Sequence, residues 1–282
     1  MQDLSELGVV DQVTLDDGVE MRYLKTGTGE PLLLMHTIRT QLDYFEAVIP
    51  TLAKHYTVYA VDLPGHGYSS IDTKAAYDEP YMRRHMVSFI EKLGLQNLSL
   101  VGESIGAVLA LTIASQLPER VVRVIASNTY DYDKRYGDGV RRGNWFANFI
   151  IANVSIPYLG VIFAVMENKV VLSGIMAGGM RRRVMPDHLL TEFNEVGKRK
   201  GYRYVERKMF AVWRSWGGAH EHYRDIKAKV QLVYGDGDWS TQSERMLTAS
   251  RLGGIPIITL PKTGHFGFVD NPQAMIDIIL QS

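Results

Sequence analysis

The chain has 282 residues, 46% hydrophobic and 22% charged, with 31 basic and 31 acidic side chains and a formal net charge of zero. That length suits one large domain, or one domain carrying an insertion, and the even charge leaves no electrostatic footprint for nucleic acid. There is no cysteine, which excludes disulfides, zinc–thiolate sites and a cysteine nucleophile and fits a reducing, cytoplasmic setting.

Met1 to Gln12 lacks a basic segment followed by an apolar run, so a secretory leader is not expected. Val9–Leu15 and Val19–Leu24 then predict two strands joined by the turn Asp16-Asp17-Gly18. Pro31–His36 is a short, almost wholly apolar run that suits a strand buried on both faces. A helix is expected over Leu42–Lys54, a strand over Tyr56–Asp62, and a helix over Tyr81–Leu93 with apolar residues at helical spacing. Leu98–Gly102 predicts another buried strand, Ser104–Leu117 a helix ended by Pro118, and Val121–Ser127 a strand. The alternation stops from about Asn128 to Asp225. It resumes with the strand Val230–Tyr234, a helix over Thr241–Arg251, the strand Pro256–Leu260 and a helix over Asn271–Leu280.

Strand–helix alternation of this kind predicts an α/β fold: a mostly parallel central sheet of about eight strands with helices on both faces. A helical insertion is expected after the sixth strand. Residues 1–127 and 226–282 form the core and 128–225 the insertion. Trp145–Val165 is long enough to span a bilayer, but Asn148, Asn153, Ser155 and Pro157 interrupt it. A single span there would also put Ser104 on one side of the membrane and Asp238 and His265 on the other.

The chemistry begins at Gly102-Glu103-Ser104-Ile105-Gly106, between an apolar strand and a helix. A serine on such a sharp turn has its hydroxyl pushed out of the sheet at a helix N-terminus, where partial positive charge favours a developing anion. Serine is a weak nucleophile and needs a base. His265, between the last predicted strand and the last helix, is the best placed of the eight histidines. A base needs an orienting carboxylate. Gly235-Asp236-Gly237-Asp238 follows a strand, and both aspartates compete for the role. The alternating acids lack the glycine and distal glutamate of a calcium loop, and no metal or cofactor is expected.

The order Ser, Asp, His, each after its own strand, resembles the α/β-hydrolase superfamily over about Val9–Leu280. The resemblance implies a Gly-x-x-Asp acid, which selects Asp238. It also implies a turn of structural glycines at Asp62-Leu63-Pro64-Gly65-His66-Gly67-Tyr68-Ser69, and an oxyanion hole made by the backbone amides of Ile38 and Ile105. Here the chain departs from the family's His-Gly-x pattern: the segment reads His36-Thr37-Ile38-Arg39. If Thr37 needed a positive φ, a β-branched residue would be strained there. Thr37 could then supply a donor, and Arg39 an acidic-group contact or a salt bridge to a loop carboxylate such as Asp43. Glu103 is expected to be structural.

The resemblance also makes the insertion a cap over the site. It carries Trp145, Phe146, Phe149, Ile150, Ile151, Tyr158, Leu159, Ile162, Phe163 and Met166, and later Val170, Val171, Leu172, Ile175 and Met176. That is more apolar surface than one amphipathic face needs. It packs, lines a greasy tunnel for an acyl or terpenoid-like substrate in which Trp145 and Phe149 touch the ligand, or meets a membrane or a partner. The basic clusters Arg141-Arg142, Arg181–Arg183 and Lys198–Lys200 would assist membrane contact.

The leading expectation is a carboxylic-ester hydrolase acting on a small to medium hydrophobic ester through an acyl-enzyme on Ser104. Carbon–carbon bond hydrolases, thioesterases and amidases share the triad. An aspartate nucleophile, as in dehalogenases and epoxide hydrolases, is disfavoured by Ser104. From another class comes a ligand-binding protein with little turnover, and a third reading puts the acid at Asp131.

Overall fold

The computed structural model describes residues 4–154, 156, 168–182 and 184–281. Of the predicted cap residues, Tyr158, Leu159, Ile162, Phe163 and Met166 lie outside these. Eight strands form one sheet: β1 (Val9–Thr14), β2 (Glu20–Thr26), β3 (Pro31–Met35), β4 (Thr57–Val61), β5 (Leu98–Glu103), β6 (Val121–Ser127), β7 (Lys229–Gly235) and β8 (Ile257–Leu260). Their order is β1-β2-β4-β3-β5-β6-β7-β8. The β1–β2 and β2–β4 pairs are antiparallel and the rest are parallel.

The apolar runs explain which strands are central. Every residue of β5 is buried, whereas β1, at the sheet edge, is almost wholly exposed. The helix Ile105–Gln116 is apolar all round, and Ile105 to Ala114 are all buried. Such a helix must be covered on every side. It lies against β5 and β6 and under the 3₁₀ segment Ala219–Asp225. The helix Glu79–Lys92 starts where Asp78 accepts the Tyr81 amide.

Leu42–Lys54 is not the single helix its sequence predicts. A 3₁₀ turn at Leu42–Phe45 gives way to one α-turn at Ile49–Leu52. Pro50 lacks the N–H that a continuous helix would need, and it sits in the first turn of the second piece, where none is required.

Between β6 and β7 the chain leaves the sheet and builds the cap. Its helices include Asp138–Arg142, Trp145–Val154, Lys169–Ala177, Asp187–Gly197 and Tyr202–Ala211. Among the described residues no helix is long and apolar enough to cross a membrane.

Candidate active site

The loop between β5 and its helix is sharp because small residues flank it. A Cβ on Gly102 would run into the Gly106 backbone, and one on Gly106 into the carbonyls of Met35 and His36. Ser104 between them adopts φ 61° and ψ −117°, a strained conformation for an L-residue. Its amide donates to Ser127 O at 2.9 Å, which fixes the turn to the end of β6.

The structure brings the three sequence-selected side chains together. Ser104 Oγ is 3.0 Å from His265 Nε2, and His265 Nδ1 is 2.5 Å from Asp238 Oδ1. Both members of the His265–Asp238 pair have fully buried side chains. Burial by itself would push the Asp238 carboxyl up, but His265 and the Ser240 hydroxyl and amide hold it below the ordinary carboxylate range. Asp238 is therefore ionised, and able to orient the imidazole and stabilise an imidazolium. A base 3.0 Å from the hydroxyl is within reach of its proton.

The two competing acids are occupied elsewhere. Asp236 is bonded by Arg181 and by the amides of Lys262 and Thr263. Asp131 accepts the Thr248 hydroxyl at 2.9 Å and lies 3.7 Å from Arg251. Among the described residues no cluster of metal-ligating side chains occurs.

The loop after β3 resolves the missing glycine. Thr37 keeps a negative φ, and the positive φ falls two residues later at Arg39, 67°. The loop is shaped by His36, which contacts Thr37 O through Nδ1 (2.7 Å) and accepts the Leu63 amide on Nε2 (3.0 Å). Thr37 O also accepts the Thr40 hydroxyl at 2.9 Å. Ile38 and Ser104 line the same cavity, and Ile105 opens the helix that follows Ser104. Arg39 does not pair with Asp43, which is held by Arg22. It crosses to the cap, 3.3 Å from Glu206, with Nη1 donating to Phe193 O and the guanidinium over Tyr202.

The cavity above Ser104 has a free volume of about 50 Å³. Thr37, Ile38 and Arg39 form one side, with Tyr130, Trp239 and Phe266 from the sheet edge. Val140, Ile151, Leu172, Ile175, Met176 and Phe210 close it from the cap. Trp145 and Phe149, expected to touch substrate, do not line it: they are 80% and 52% exposed. They share a helix with Ile151, but the turn of the helix gives the inner face to Ala147 and Ile151.

Three residues with no expected chemistry turn out to organise the site. Glu103, fully buried, accepts Tyr44 Oη, the Gly267 amide at 2.8 Å and Asn128 Nδ2 at 3.3 Å. Burial pushes its carboxyl up to about 8, against the pull of these donors. Asn128 also donates to His265 O at 3.0 Å and accepts the Gly235 amide at 2.9 Å, so it ties the ends of β6 and β7 to the histidine loop. Trp239 stacks on the His265 ring. For Glu103 and Asn128 the available signal was position, since each ends or follows a strand beside the nucleophile. Trp239 was marked only by being the neighbour of Asp238.

The family profile described as alpha/beta hydrolase fold matches residues 30–272. Over 128 residues the chain is 34% identical to a dihydrolipoyllysine-residue acetyltransferase component of an acetoin cleaving system from Cupriavidus necator, covering 45% of this chain and 33% of that protein. Over 111 residues it is 33% identical to a 2-hydroxymuconate semialdehyde hydrolase from Pseudomonas sp., covering 38% and 39%. The chain thus spans between a third and two fifths of these relatives. Among solved structures, a variant of the meta-cleavage product hydrolase CumD superposes with a TM-score of 0.78 at 18% identity, covering 98% of both chains, a likeness of fold. With the profile match running through the nucleophile turn, the acid loop and the histidine, the chain belongs to the alpha/beta hydrolase fold family.

Proposed function

We propose that the chain is a serine hydrolase that cleaves a small, uncharged hydrophobic ester. The observation that carries this reading is the continuous chain Ser104–His265–Asp238 beneath an apolar cavity. Ser104 Oγ attacks the carbonyl carbon as His265 Nε2 takes its proton. The amides of Ile38 and Ile105 receive the oxyanion, a contribution of ~3–4 kcal/mol per donor in comparable sites. His265 returns the proton to the leaving alkoxide, and water then releases the acyl group by the same steps in reverse.

The relative named as a 2-hydroxymuconate semialdehyde hydrolase favours a second reading, cleavage of a carbon–carbon bond beside a carbonyl group. That substrate is a carboxylate. In this cavity the lining guanidinium, Arg39, already faces Glu206 and the Phe193 carbonyl, which supports an uncharged substrate. The outward apolar residues Trp145, Phe149 and Val170 carry a proposal of lipid contact through the cap. Charge adds little to it, because Arg142 is paired with Asp138 and Glu244, Arg181 with Asp236 and Lys198 with Glu195.

The test is labelling of folded protein by a fluorophosphonate, with Ser104→Ala as control, followed by turnover of p-nitrophenyl esters of rising chain length and of a 6-oxo-dienoate. Ser104-dependent labelling and a higher kcat/KM for short neutral esters are expected. No labelling of folded protein would leave a ligand-binding protein instead. Preference for the dienoate would establish the carbon–carbon reading.

A further inference from the structure

His265 is held by more than its two triad partners. The indole of Trp239 covers its ring, with centroids 3.8 Å apart and planes 18° from parallel. Trp239 follows Asp238 directly, so one loop supplies both the acid and the aromatic cover. The indole N–H donates to Gly178 O of the cap at 3.1 Å. One residue on, Gly179 O accepts the backbone N–H of His265 at 2.6 Å. A third link runs through buried Asp270. Its carboxylate accepts the amides of Arg181 (2.6 Å) and Arg182 (3.2 Å) from the cap and of Gly264 (2.8 Å) from the histidine loop. A Cβ on Gly179 would lie 2.6 Å from both Trp239 Cζ2 and Phe266 Cε2, so only glycine lets the cap come this close.

Two hydrogen bonds, one at each ring nitrogen, leave an imidazole free to tilt about the line between them. A ring stacked on its face removes that tilt. The same face stabilises the cation that forms when His265 takes the serine proton, because an aromatic quadrupole attracts positive charge most strongly where water is absent. We propose that Trp239, seated by the cap turn Gly178–Gly179, is the positioning residue for His265, so that docking of the cap sets the histidine in its working orientation. The proposal rests on the reading of Ser104, His265 and Asp238 as a catalytic triad.

Three variants separate its parts. Trp239→Leu keeps apolar cover but removes the aromatic face, Trp239→Phe keeps a stack but removes the N–H, and Gly179→Ala pushes the cap turn away. Each is checked for cooperative thermal unfolding. The readouts are the rate of fluorophosphonate labelling of Ser104 against pH and the imidazole ¹H–¹⁵N spectrum of His265. With Trp239→Leu the plateau rate falls about tenfold and the histidine inflection moves down by about one unit, the size of a desolvated cation–π contact. Trp239→Phe stays within about threefold of the parent, since most of the stack survives. Gly179→Ala loses about as much as Trp239→Leu, although it alters no triad side chain, and its His265 Nδ1–H signal broadens. A folded Trp239→Leu protein with parental plateau and inflection overturns the proposal. Should that variant not fold, an unchanged profile for Gly179→Ala does so. If the parent itself is not labelled, the hydrolase reading fails and the spectrum alone decides. An Nδ1–H signal sharp in the parent and lost to exchange in the variants supports the clamp, and equal signals reject it.

Discussion

At the C-terminal ends of β5, β6 and β7 the buried carboxylates and amides around the site answer one another, whereas the cap turns mostly carbon toward Ser104. Glu103, Asn128 and Asp238 are buried and hydrogen-bonded to partners on other strands or loops. The cap presents Val140, Ile151, Leu172, Ile175, Met176 and Phe210, and its charged contribution, Glu206, is matched by Arg39. The difference teaches where each property resides. Directed hydrogen bonds hold reacting atoms to within fractions of an ångström, so the proposed chemistry is assigned to the sheet edge. Apolar contact is non-directional and tolerates shape change, so under the proposed function substrate choice is assigned to the cap.

The largest effect tests that division at its centre. Asp238→Asn should lower turnover by ~10⁴-fold, because the imidazole loses its orienting anion. Asp131→Asn should leave turnover nearly intact, since its carboxyl serves Thr248 and Arg251. Steady-state kinetics on a p-nitrophenyl ester compares the two, and a reversed ranking would move the acid to β6.

A middle-sized effect concerns acid stability of the core. Burial pushes His36 down to about 4 and His66 down to about 3, and their rings lie 5.3 Å apart. Both are neutral in the fold, while the unfolded chain takes up protons near the ordinary histidine value. Their contribution is present above that value and is lost as pH falls from about 6.5 through the folded values, about 3 kcal/mol for His36 alone. Glu103, raised to about 8, acts in the opposite sense and loses its contribution as pH rises. The histidine effect is therefore read as a difference. Urea midpoints of the parent should fall more steeply between pH 6.5 and 4 than those of His66→Gln. Parallel curves would show that the buried ring does not govern acid sensitivity.

The smallest effect belongs to the cap's outer face. Trp145→Ser should change stability by less than ~0.5 kcal/mol and leave ester turnover unaltered, as expected for an exposed side chain. Co-sedimentation with liposomes should nevertheless drop. Absence of pelleting by the parent, with or without anionic lipid, would end the lipid-contact proposal, and a loss of turnover would place Trp145 in the site after all.

Much of this was readable along the chain, because strand periodicity and turn chemistry are local. Gly102-Glu103-Ser104-Ile105-Gly106 pointed to Ser104, and two later loops pointed to the side chains that meet it. What could not be read depended on distant pairing. Arg39 meets Glu206 rather than the nearby Asp43, a partner supplied by a cap helix far along the sequence. Trp145 and Phe149 looked like pocket residues because composition reports how much apolar surface a helix has, not which side is covered. The break at Pro50 is local: its missing N–H opens a new helical turn rather than continuing the one before it.

By itself the sequence determined the order of strands and helices and the three side chains at strand ends, because those depend on residues within a turn or two of one another. Only the tertiary structure decided that Arg39 crosses to Glu206, that Thr37 escapes strain while Arg39 takes the positive φ, and that Trp239 lies flat on the imidazole. Each of those outcomes depends on which buried groups meet across the sheet edge and the cap. Desolvation then makes the right partner far more favourable than any other.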